Sequence, residues 1–407
     1  MNELNEVGIT IQNQTQGLDL SKPTNFYCGF DATASSLHVG HLFMLKTISR
    51  MAKCGHYPSI LIGDATALIG DPSGRDKERE TLDCSEDNAE SIREQVDGLL
   101  SKTGVDFYIV KNSFWLDRLH FLDVLHKYGN HFRVNEMLSK SSVENRLSSD
   151  EGMSLKEFMY QVIQAMDFEH LYKTFDCTLQ IGGSDQWGNI TAGASLVRKI
   201  HGKQVHGLTF PLLMDSNGNK MSKTGKGGTI WLDPDLTSPF DFYQFWLNQP
   251  DSLIPNLLSI ASGNKDEYNH FLGCLSDSPE KREAQKFIAK NLTSWVHNEL
   301  FSEASESMYE YLSTKVTSRE IIAEVFSKYE HILPSSSLDS NFKISSVLVS
   351  IGLATSLGDA RRKIKGNGIS INKIKITKDS TLCDIMDSGI GIIQSGKQNL
   401  HLIRRLK

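Results

Sequence analysis

Residues 24–42, TNFYCGFDATASSLHVGHL, predict a strand, a loop and the start of a helix in immediate succession. Residues 25–30 are mostly apolar or aromatic, which is typical of a buried strand. Residues 31–36 are small or polar and form the predicted loop. A helical pattern then begins near Leu37, with a serine just ahead of it as the expected N-cap.

The histidines His38 and His41 are three residues apart, so both imidazoles lie on the same side of the first helical turn. Gly40 leaves the backbone open to a ligand, and the free amides at a helix start attract phosphate. Together these features predict a phosphate site. Two alternatives are ordinary surface histidines, or half of a metal site. A zinc site needs three or four ligands, and only Cys28 is near in sequence.

The composition predicts a soluble globular protein of two or three domains. The 407 residues are 39% hydrophobic and 23% charged, with a net charge of −6. Six cysteines without paired close spacing favour reduced thiols and a cytoplasmic protein, with an organellar matrix as the alternative. No apolar run has membrane-spanning length, and the N-terminal MNELNEVGITIQNQ resembles neither a secretory nor a transit peptide.

Positive charge is concentrated near the C-terminus. Residues 341–407 contain twelve Lys or Arg and four Asp, a net of +8, so the remainder carries −14. A basic tail on an acidic body predicts that the tail binds nucleic acid. A predicted helix in this tail carries the residues best suited to phosphate contacts, namely Arg361, Arg362, Lys363 and Lys365.

A second strand and its loop are predicted at residues 56–74, HYPSILIGDATALIGDPSG. The apolar run enters a glycine- and aspartate-rich stretch, as expected at the carboxyl end of a parallel strand. Asp71 in this loop suits a cation, but Asp-Pro-Ser-Gly is equally good chemistry for a plain turn.

A helix predicted at residues 155–173 carries a polar stripe. Tyr160, Gln164 and Asp167 follow a spacing of four and three, which places three polar groups on one face. The stripe is either a binding surface or the solvated face of the helix. A carboxylate among apolar neighbours is not buried without partners.

Two glycine-rich segments complete the set of candidate ligand sites. Residues 182–189, GGSDQWGN, follow a predicted strand, so that Gly183 admits a nucleotide to the backbone and Asp185 suits ribose hydroxyls. Lys220 and Lys223 lie three apart in a predicted loop, where they either bind phosphate or belong to a solvated turn.

The order of elements predicts an α/β protein with three folded parts. An apolar helical insertion at about 113–150 interrupts the strand–helix alternation and suits a subunit interface. The predicted parts are a Rossmann-like parallel-sheet catalytic domain at 1–232, an α-helical domain at 233–329, a Pro/Ser linker at 330–341, and a small α+β RNA-binding domain at 342–407.

Taken together, the motifs resemble those of the class I aminoacyl-tRNA synthetases, in the tyrosyl branch. Tyr-Cys-Gly-Phe-Asp at 27–31 with His-Val-Gly-His at 38–41 resembles the first class signature, and Lys-Met-Ser-Lys-Thr at 220–224 resembles the second. The string at 182–189 is similar to that of the tyrosyl branch. Differences from the family pattern are Ala32, Ser35 and Thr224. Residues 342–407 resemble the RNA-binding fold of a small-subunit ribosomal protein.

The resemblance implies roles for the matching residues. It assigns tyrosine binding to Tyr27, Asp71, Tyr160, Gln164, Asp167, Gln180 and Gln186, with Asp167 facing the phenol. It assigns ATP binding to Cys28, Gly29, Asp31, Gly40, Gly183, Asp185 and Lys223. The implied catalytic groups are His38, His41, Thr33, Lys220 and Lys223, with Arg75 and Arg79 on a mobile loop that reaches pyrophosphate.

The implied reaction is tyrosine–tRNA ligation. The tyrosine carboxylate attacks the α-phosphate of ATP and expels pyrophosphate, and the tyrosyl group then passes to the 3′ end of tRNA(Tyr). Mg²⁺ is expected to accompany ATP without a dedicated protein site, and the insertion is expected to form a homodimer contact. Two alternatives remain: another class I enzyme, such as a tryptophanyl synthetase or a nucleotidyltransferase, and a non-catalytic RNA-binding or splicing cofactor.

Overall fold

The computed structural model describes residues 7–71, 85–148, 152–215, 218, 220–221, 228–313, 322–323, 327, 329, 335–386, 389–396 and 399–406. Its contacts divide the chain into two units. The first unit comprises Met1–Thr229 and Pro250–Ser276, and the second comprises Ile230–Gln249 and Asp277–Lys407. Each unit is described by itself below, and the domain boundaries from the sequence stay predictions.

The first unit contains a six-stranded sheet in the order β1-β6-β5-β2-β3-β4. The strands are β1 (Asn13–Gln14), β2 (Asn25–Asp31), β3 (Tyr57–Gly63), β4 (Tyr108–Lys111), β5 (Leu179–Gly183) and β6 (His206–Phe210). All pairings are parallel except that of β1 with β6. Chain order reverses between β2 and β5, and sheets of this kind bind ligands beyond the carboxyl ends of the strands at such a reversal. The parallel α/β prediction is confirmed.

The α-helices are numbered in chain order through both units. They are α1 (Leu42–Lys53), α2 (Asp64–Ile69), α3 (Ser85–Ser101), α4 (Ser113–Leu116), α5 (Phe121–Lys127), α6 (Val134–Leu138), α7 (Ser141–Leu147), α8 (Leu155–Phe175), α9 (Trp187–His201), α10 (Pro239–Leu247), α11 (Ile254–Ala261), α12 (Lys265–Asp277), α13 (Glu283–Val296), α14 (Glu299–Ser313), α15 (Ile344–Ser350), α16 (Leu357–Lys365) and α17 (Leu382–Ile385). Helices α4 to α7 occupy the interval predicted to be a helical insertion. None of the described helices is long and apolar enough to cross a membrane.

The second unit contains a five-stranded sheet in the order β7-β11-β10-β8-β9. The strands are β7 (Ser335–Asp339), β8 (Ile369–Ile371), β9 (Ile374–Lys375), β10 (Ile390–Ser395) and β11 (Asn399–Leu406). Strand β7 pairs in parallel with β11. Part of the segment predicted as a Pro/Ser linker is therefore an ordered edge strand.

Both faces of this second sheet are covered, because successive side chains of a strand point to opposite faces. Ile393 and Ile403 share a core with the helices α15 and α16. Their sequence neighbours Ile392 and Leu402 share a different core with Phe240 of α10 and with α14. The C-terminal sheet is thus packed against helices from the predicted α-helical domain.

Candidate active site

The His-Val-Gly-His segment forms a tight turn that orients both imidazoles. Val39–His41 is a 3₁₀ turn, and α1 begins only at Leu42. The Nδ1 of His38 accepts the Gly40 amide proton at 3.1 Å, and the Nδ1 of His41 accepts that of His38 at 3.1 Å. The prediction of a serine cap was wrong, because the His38 ring itself performs the capping. Since each Nδ1 is an acceptor, each neutral ring carries its proton on Nε2.

The two rings are stacked, with 3.9 Å between their centroids. Burial, together with the neighbouring His38 and Lys220, lowers the pKa of His41 well below its ordinary value. The ring is therefore neutral near pH 7 and presents an uncharged donor. A Cβ on Gly40 would lie 2.9 Å from the His38 Cε1 and 3.3 Å from the Met221 carbonyl oxygen. The structure thus brings the two signature segments together, and the absence of a side chain at position 40 permits it.

The polar stripe of α8 is buried, so it is not the solvated face of the helix. Asp167 is 1% exposed, and its carboxylate accepts protons from Asn112 Nδ2 at 3.0 Å and Trp115 Nε1 at 2.8 Å. Burial raises the pKa of Asp167 to about 7, although these two hydrogen bonds act in the opposite direction. Tyr27 is fully buried, and its pKa lies well above the ordinary value because of burial and of the nearby Asp167.

Three buried polar atoms in this region have no hydrogen-bond partner among the described residues. They are the Tyr27 hydroxyl and the side-chain oxygens of Gln164 and Gln180. Tyr27 and Gln180 are direct neighbours in the β2–β5 pairing, so their side chains leave the sheet on the same face. Buried polar groups are almost always paired, and a ligand with a hydroxyl and an ammonium group supplies the missing partners. The arrangement fits tyrosine.

A second set of contacts lies at the other end of the stripe. Gln186 donates to Asp71 at 2.6 Å and accepts from Gln164 at 3.3 Å. The Tyr160 hydroxyl donates to Asp31 at 2.7 Å. The structure therefore brings Asp71, Gln164 and Gln186 together, three residues that the resemblance assigns to tyrosine binding. It ties Tyr160 to Asp31, a residue assigned to ATP, so this hydroxyl keeps only its acceptor lone pairs for an ammonium group.

Among the residues assigned to ATP and catalysis, the structure brings Asp185 and Lys220 together, with 2.6 Å between the carboxylate and the ammonium group. A Cβ on Gly183 would lie 2.6 Å from a methyl carbon of Leu212, so the backbone is closely packed there. The Thr33 amide donates to the Asp31 carbonyl at 2.9 Å. Burial raises the pKa of the Cys28 thiol to about 12, so this side chain is an uncharged core group, whereas Gly29 is exposed.

Three assigned residues, Arg75, Arg79 and Lys223, lie outside the described residues. On α16 the basic side chains differ. Those of Arg361 and Arg362 are 60% and 81% exposed, while Lys363 donates to the Leu353 carbonyl at 2.7 Å. Within the part of the chain that the structure describes, no group of three or more His, Cys, Asp or Glu side chains is arranged to hold a metal ion.

Sequence reasoning missed the residues that donate hydrogen bonds to the Asp167 carboxylate. Asn112 bridges Asp167 and Thr66, with 3.0 Å for each contact, and Thr66 donates to Asp31 at 2.7 Å. The signal for Asn112 was its position directly after β4, at the carboxyl end of a parallel strand. Trp115 offered no such signal, because an aromatic residue in an apolar helical segment is ordinarily part of a core.

Comparisons with known proteins identify the family of the chain. A family model described as class I tRNA synthetases (W and Y) matches residues 19–312. The tyrosine–tRNA ligase of Anaeromyxobacter dehalogenans is 38% identical over 97% of this chain and 96% of its own. That of Roseiflexus castenholzii is 39% identical over 93% and 92%. Among solved structures, a C-terminally truncated mitochondrial tyrosyl-tRNA synthetase from Aspergillus nidulans is 28% identical, with a TM-score of 0.68 over 76% of this chain and 92% of that one.

Proposed function

The chain belongs to the tyrosyl branch of the class I aminoacyl-tRNA synthetases, and from this membership we propose how its own side chains carry out tyrosine–tRNA ligation. The family activity is ATP-dependent: tyrosine is activated to an adenylate, and the tyrosyl group is then transferred to tRNA. The observation that carries the proposal is the group of unpartnered buried atoms around Tyr27, Gln164 and Gln180.

The tyrosine phenol lies between Tyr27 and Asp167. Its hydroxyl donates to the Asp167 carboxylate and pairs with the Tyr27 hydroxyl, so that all three groups are satisfied. The ammonium group lies near Asp71 and Gln164, which the structure holds within one hydrogen-bonded set through Gln186. This placement directs the tyrosine carboxylate toward the carboxyl ends of β2 and β5, where the phosphates of ATP are received.

The first reaction step needs no protein nucleophile, because the substrate carboxylate attacks phosphorus directly. Catalysis is therefore positioning together with stabilisation of charge on the leaving pyrophosphate. His38 and His41 donate through Nε2–H, and Lys220 supplies a positive charge beside them. Thr33 lies in the loop that precedes His38. Arg75, Arg79 and Lys223 are assigned to pyrophosphate by resemblance alone.

Mg²⁺, a second copy of the chain and tRNA are the further partners that we propose. Mg²⁺ enters with ATP, bound mainly by phosphate oxygens and water. The insertion forms the homodimer contact, which is supported by large exposed apolar side chains on α5 and α6: Phe121 is 66%, Leu122 75% and Val134 61% exposed. The exposed cations of α16 bind tRNA phosphates. We place the protein in the cytoplasm or in an organellar matrix, the compartments in which tRNA is charged.

The test is amino-acid-dependent exchange of pyrophosphate into ATP with tyrosine, phenylalanine and tryptophan. A pocket built to pair a hydroxyl rejects an analogue that lacks it, since its buried groups are left unpaired. The expected discrimination against phenylalanine is about 10⁵, the magnitude known for tyrosyl enzymes as a family. Comparable exchange with phenylalanine or tryptophan would overturn the proposal.

A further inference from the structure

We propose that Asp64 is a positioning residue that sets the preference for tyrosine by holding the Asn112–Trp115 turn against Asp167. The inference rests on the proposed function, because it takes Asp167 as the acceptor for the substrate phenol. Asp64 does not itself contact Asp167 through a hydrogen bond. Its negative charge raises the pKa of Asp167, whereas its positioning role acts through the two donors that Asp167 receives.

Asp64 is a buried carboxylate at the first position of α2, directly after β3, with 9% of its surface exposed. Its Oδ1 accepts the Ala65 amide at 2.9 Å and the Ser113 amide at 3.0 Å. Its Oδ2 accepts the Ser113 hydroxyl at 2.6 Å. Two of these three hydrogen bonds therefore cross from the β3–α2 junction to the junction of β4 and α4.

The residues that Asp64 fixes are adjacent to both donors of Asp167. Asn112 directly precedes Ser113. The side-chain oxygen of Asn112 accepts, at 3.1 Å, the Ala65 amide that Asp64 also accepts. That contact directs the Asn112 amide nitrogen toward Asp167, at 3.0 Å. The Trp115 amide donates to the Asn112 carbonyl at 3.3 Å, and its indole reaches Asp167 at 2.8 Å. Both donors thus depend on the turn that Asp64 anchors.

The turn has other supports, and none replaces this one. The Asn112 amide donates to the Ile62 carbonyl at 3.2 Å, which continues the β3–β4 pairing. The Trp115 ring stacks on His170 with centroids 4.2 Å apart. These contacts fix the ends of the turn, whereas a carboxylate accepting two hydrogen bonds from one serine fixes its centre. Charge-assisted hydrogen bonds of this kind are roughly twice as strong as neutral ones.

Loss of the anchor affects tyrosine and phenylalanine differently. When the two donors shift, the Asp167 carboxylate loses its orientation toward the substrate hydroxyl. Tyrosine then loses part of the binding that distinguishes it, and phenylalanine, which has no hydroxyl, loses nothing. The phenol is remote from the reacting carboxylate, so the effect belongs in KM more than in kcat.

The experiment uses the full-length protein with Asp64→Ala and Asp64→Asn, and with Asp97→Ala as the matched control, an exposed carboxylate on α3. Pyrophosphate exchange is measured with tyrosine and phenylalanine. We expect Asp64→Ala to lower kcat/KM for tyrosine by about tenfold, chiefly through KM, because small displacements of a positioning group have effects of this order. Phenylalanine exchange stays within about twofold, as does the control with either amino acid.

The asparagine variant separates positioning from charge. Its side-chain oxygen still accepts the two backbone amides, and its NH₂ group donates to the Ser113 hydroxyl oxygen. We therefore expect it to restore most of the tyrosine preference. A second variant, Ser113→Ala, removes only the hydroxyl contact and should lower the preference by about threefold. If Asp64→Ala does not fold, the tyrosine preference of Ser113→Ala tests the positioning role instead.

Asp167→Ala distinguishes failure of this inference from failure of the proposed function. If Asp167→Ala leaves discrimination intact, the phenol site itself is misplaced. If Asp167→Ala abolishes discrimination while Asp64→Ala and Ser113→Ala preserve it, only the positioning role is wrong. Equal losses for tyrosine and phenylalanine would also overturn it, since they indicate a general structural effect. In the Asp167→Ala background, Asp64→Ala should cause no further change in the ratio of kcat/KM for tyrosine to that for phenylalanine.

Discussion

Asp167 combines a buried position with an acceptor role, and these two requirements conflict. Burial disfavours the carboxylate, while the donors Asn112 and Trp115 favour it. The resulting pKa of about 7 means that the acceptor is only partly ionised near neutral pH. In the proposed function, the pocket therefore keeps a charged acceptor for the tyrosine phenol at a cost in stability.

The first consequence is a pH dependence of tyrosine recognition. We expect kcat/KM for tyrosine in pyrophosphate exchange to fall as the pH drops below about 7, because protonation removes the charged acceptor. Phenylalanine exchange should not follow the same profile. Asp167→Asn should remove the rising limb. A tyrosine profile that is unchanged in Asp167→Asn would contradict the assignment.

The same raised pKa has the opposite effect on stability, because it makes the folded protein less stable as the pH rises. The folded-state pKa of Asp167 lies above the value of about 3.9 for an unfolded aspartate, so its contribution is fully present only below that lower value. It is lost as the pH rises through about 7. The free energy of unfolding should therefore decrease over this range, and the slope should be smaller in Asp167→Asn. Denaturant unfolding at several pH values measures both.

In the proposed function, Lys220 serves the leaving group rather than the amino acid. Its ammonium group is 48% exposed and pairs at 2.6 Å with Asp185, the residue that the resemblance assigns to ATP binding. Lys220→Ala should slow adenylate formation by about 10²–10³, the usual effect of losing a transition-state donor. Tyrosine affinity by calorimetry should stay unchanged, and Lys53→Ala, an exposed cation on α1, serves as control. Equal loss of tyrosine affinity would indicate a folding defect instead.

At the scale of elements, the strands and helices of the site were largely predictable, and their exact ends were not. The apolar run at 25–30 and the spacing on α8 depend on local patterns that a sequence displays directly. The start of α1 was predicted too early, because a histidine that caps its own turn has no statistical signature. The Asn112–Trp115 turn was missed because its function depends on contacts with α2 and α8, which are distant in sequence.

The tightness of the His38–His41 turn can be tested through its glycine. Gly40→Ala places a Cβ 2.9 Å from the His38 ring, so the imidazole must move. We expect adenylate formation to slow by one to two orders of magnitude, roughly the effect of misplacing a catalytic donor. Tyrosine binding should change little.

The matched control for this prediction is Gly98→Ala on α3, where a Cβ meets nothing within 4 Å. Alanine in a helix interior is favoured over glycine by about 0.5–1 kcal/mol, so this variant should be fully active and slightly more stable. If both variants behave alike in single-turnover kinetics, the close packing at Gly40 has no catalytic consequence.

On the scale of the whole molecule, charge distribution was readable from the sequence, and packing was not. The +8 charge of residues 341–407 suggested a module tethered by a flexible segment. The structure instead makes Ser335–Asp339 an edge strand and packs Ile392 and Leu402 against Phe240 and α14. Deleting the module would expose this apolar face, so a truncation would test stability as much as tRNA binding. Point variants on the exposed side of α16 avoid that difficulty.

The two residues suited to this purpose are Arg362, 81% exposed, and Lys365, which is also exposed. Lys363 is unsuitable, because its ammonium group caps the Leu353 carbonyl and its loss would disturb the fold. The double variant Arg362→Ala with Lys365→Ala should leave pyrophosphate exchange within about twofold, since both side chains are exposed and neither is assigned to tyrosine or ATP. It should weaken tRNA binding. The slope of log K against log salt concentration should become shallower by up to about 1.4–1.8, which corresponds to the loss of two phosphate contacts.

The matched control is Lys22→Ala with Lys53→Ala, two exposed cations of the first unit. It removes the same charge elsewhere and should leave that slope nearly unchanged. Equal slopes for both double variants would show that α16 makes no phosphate contacts and that its charge acts only at long range.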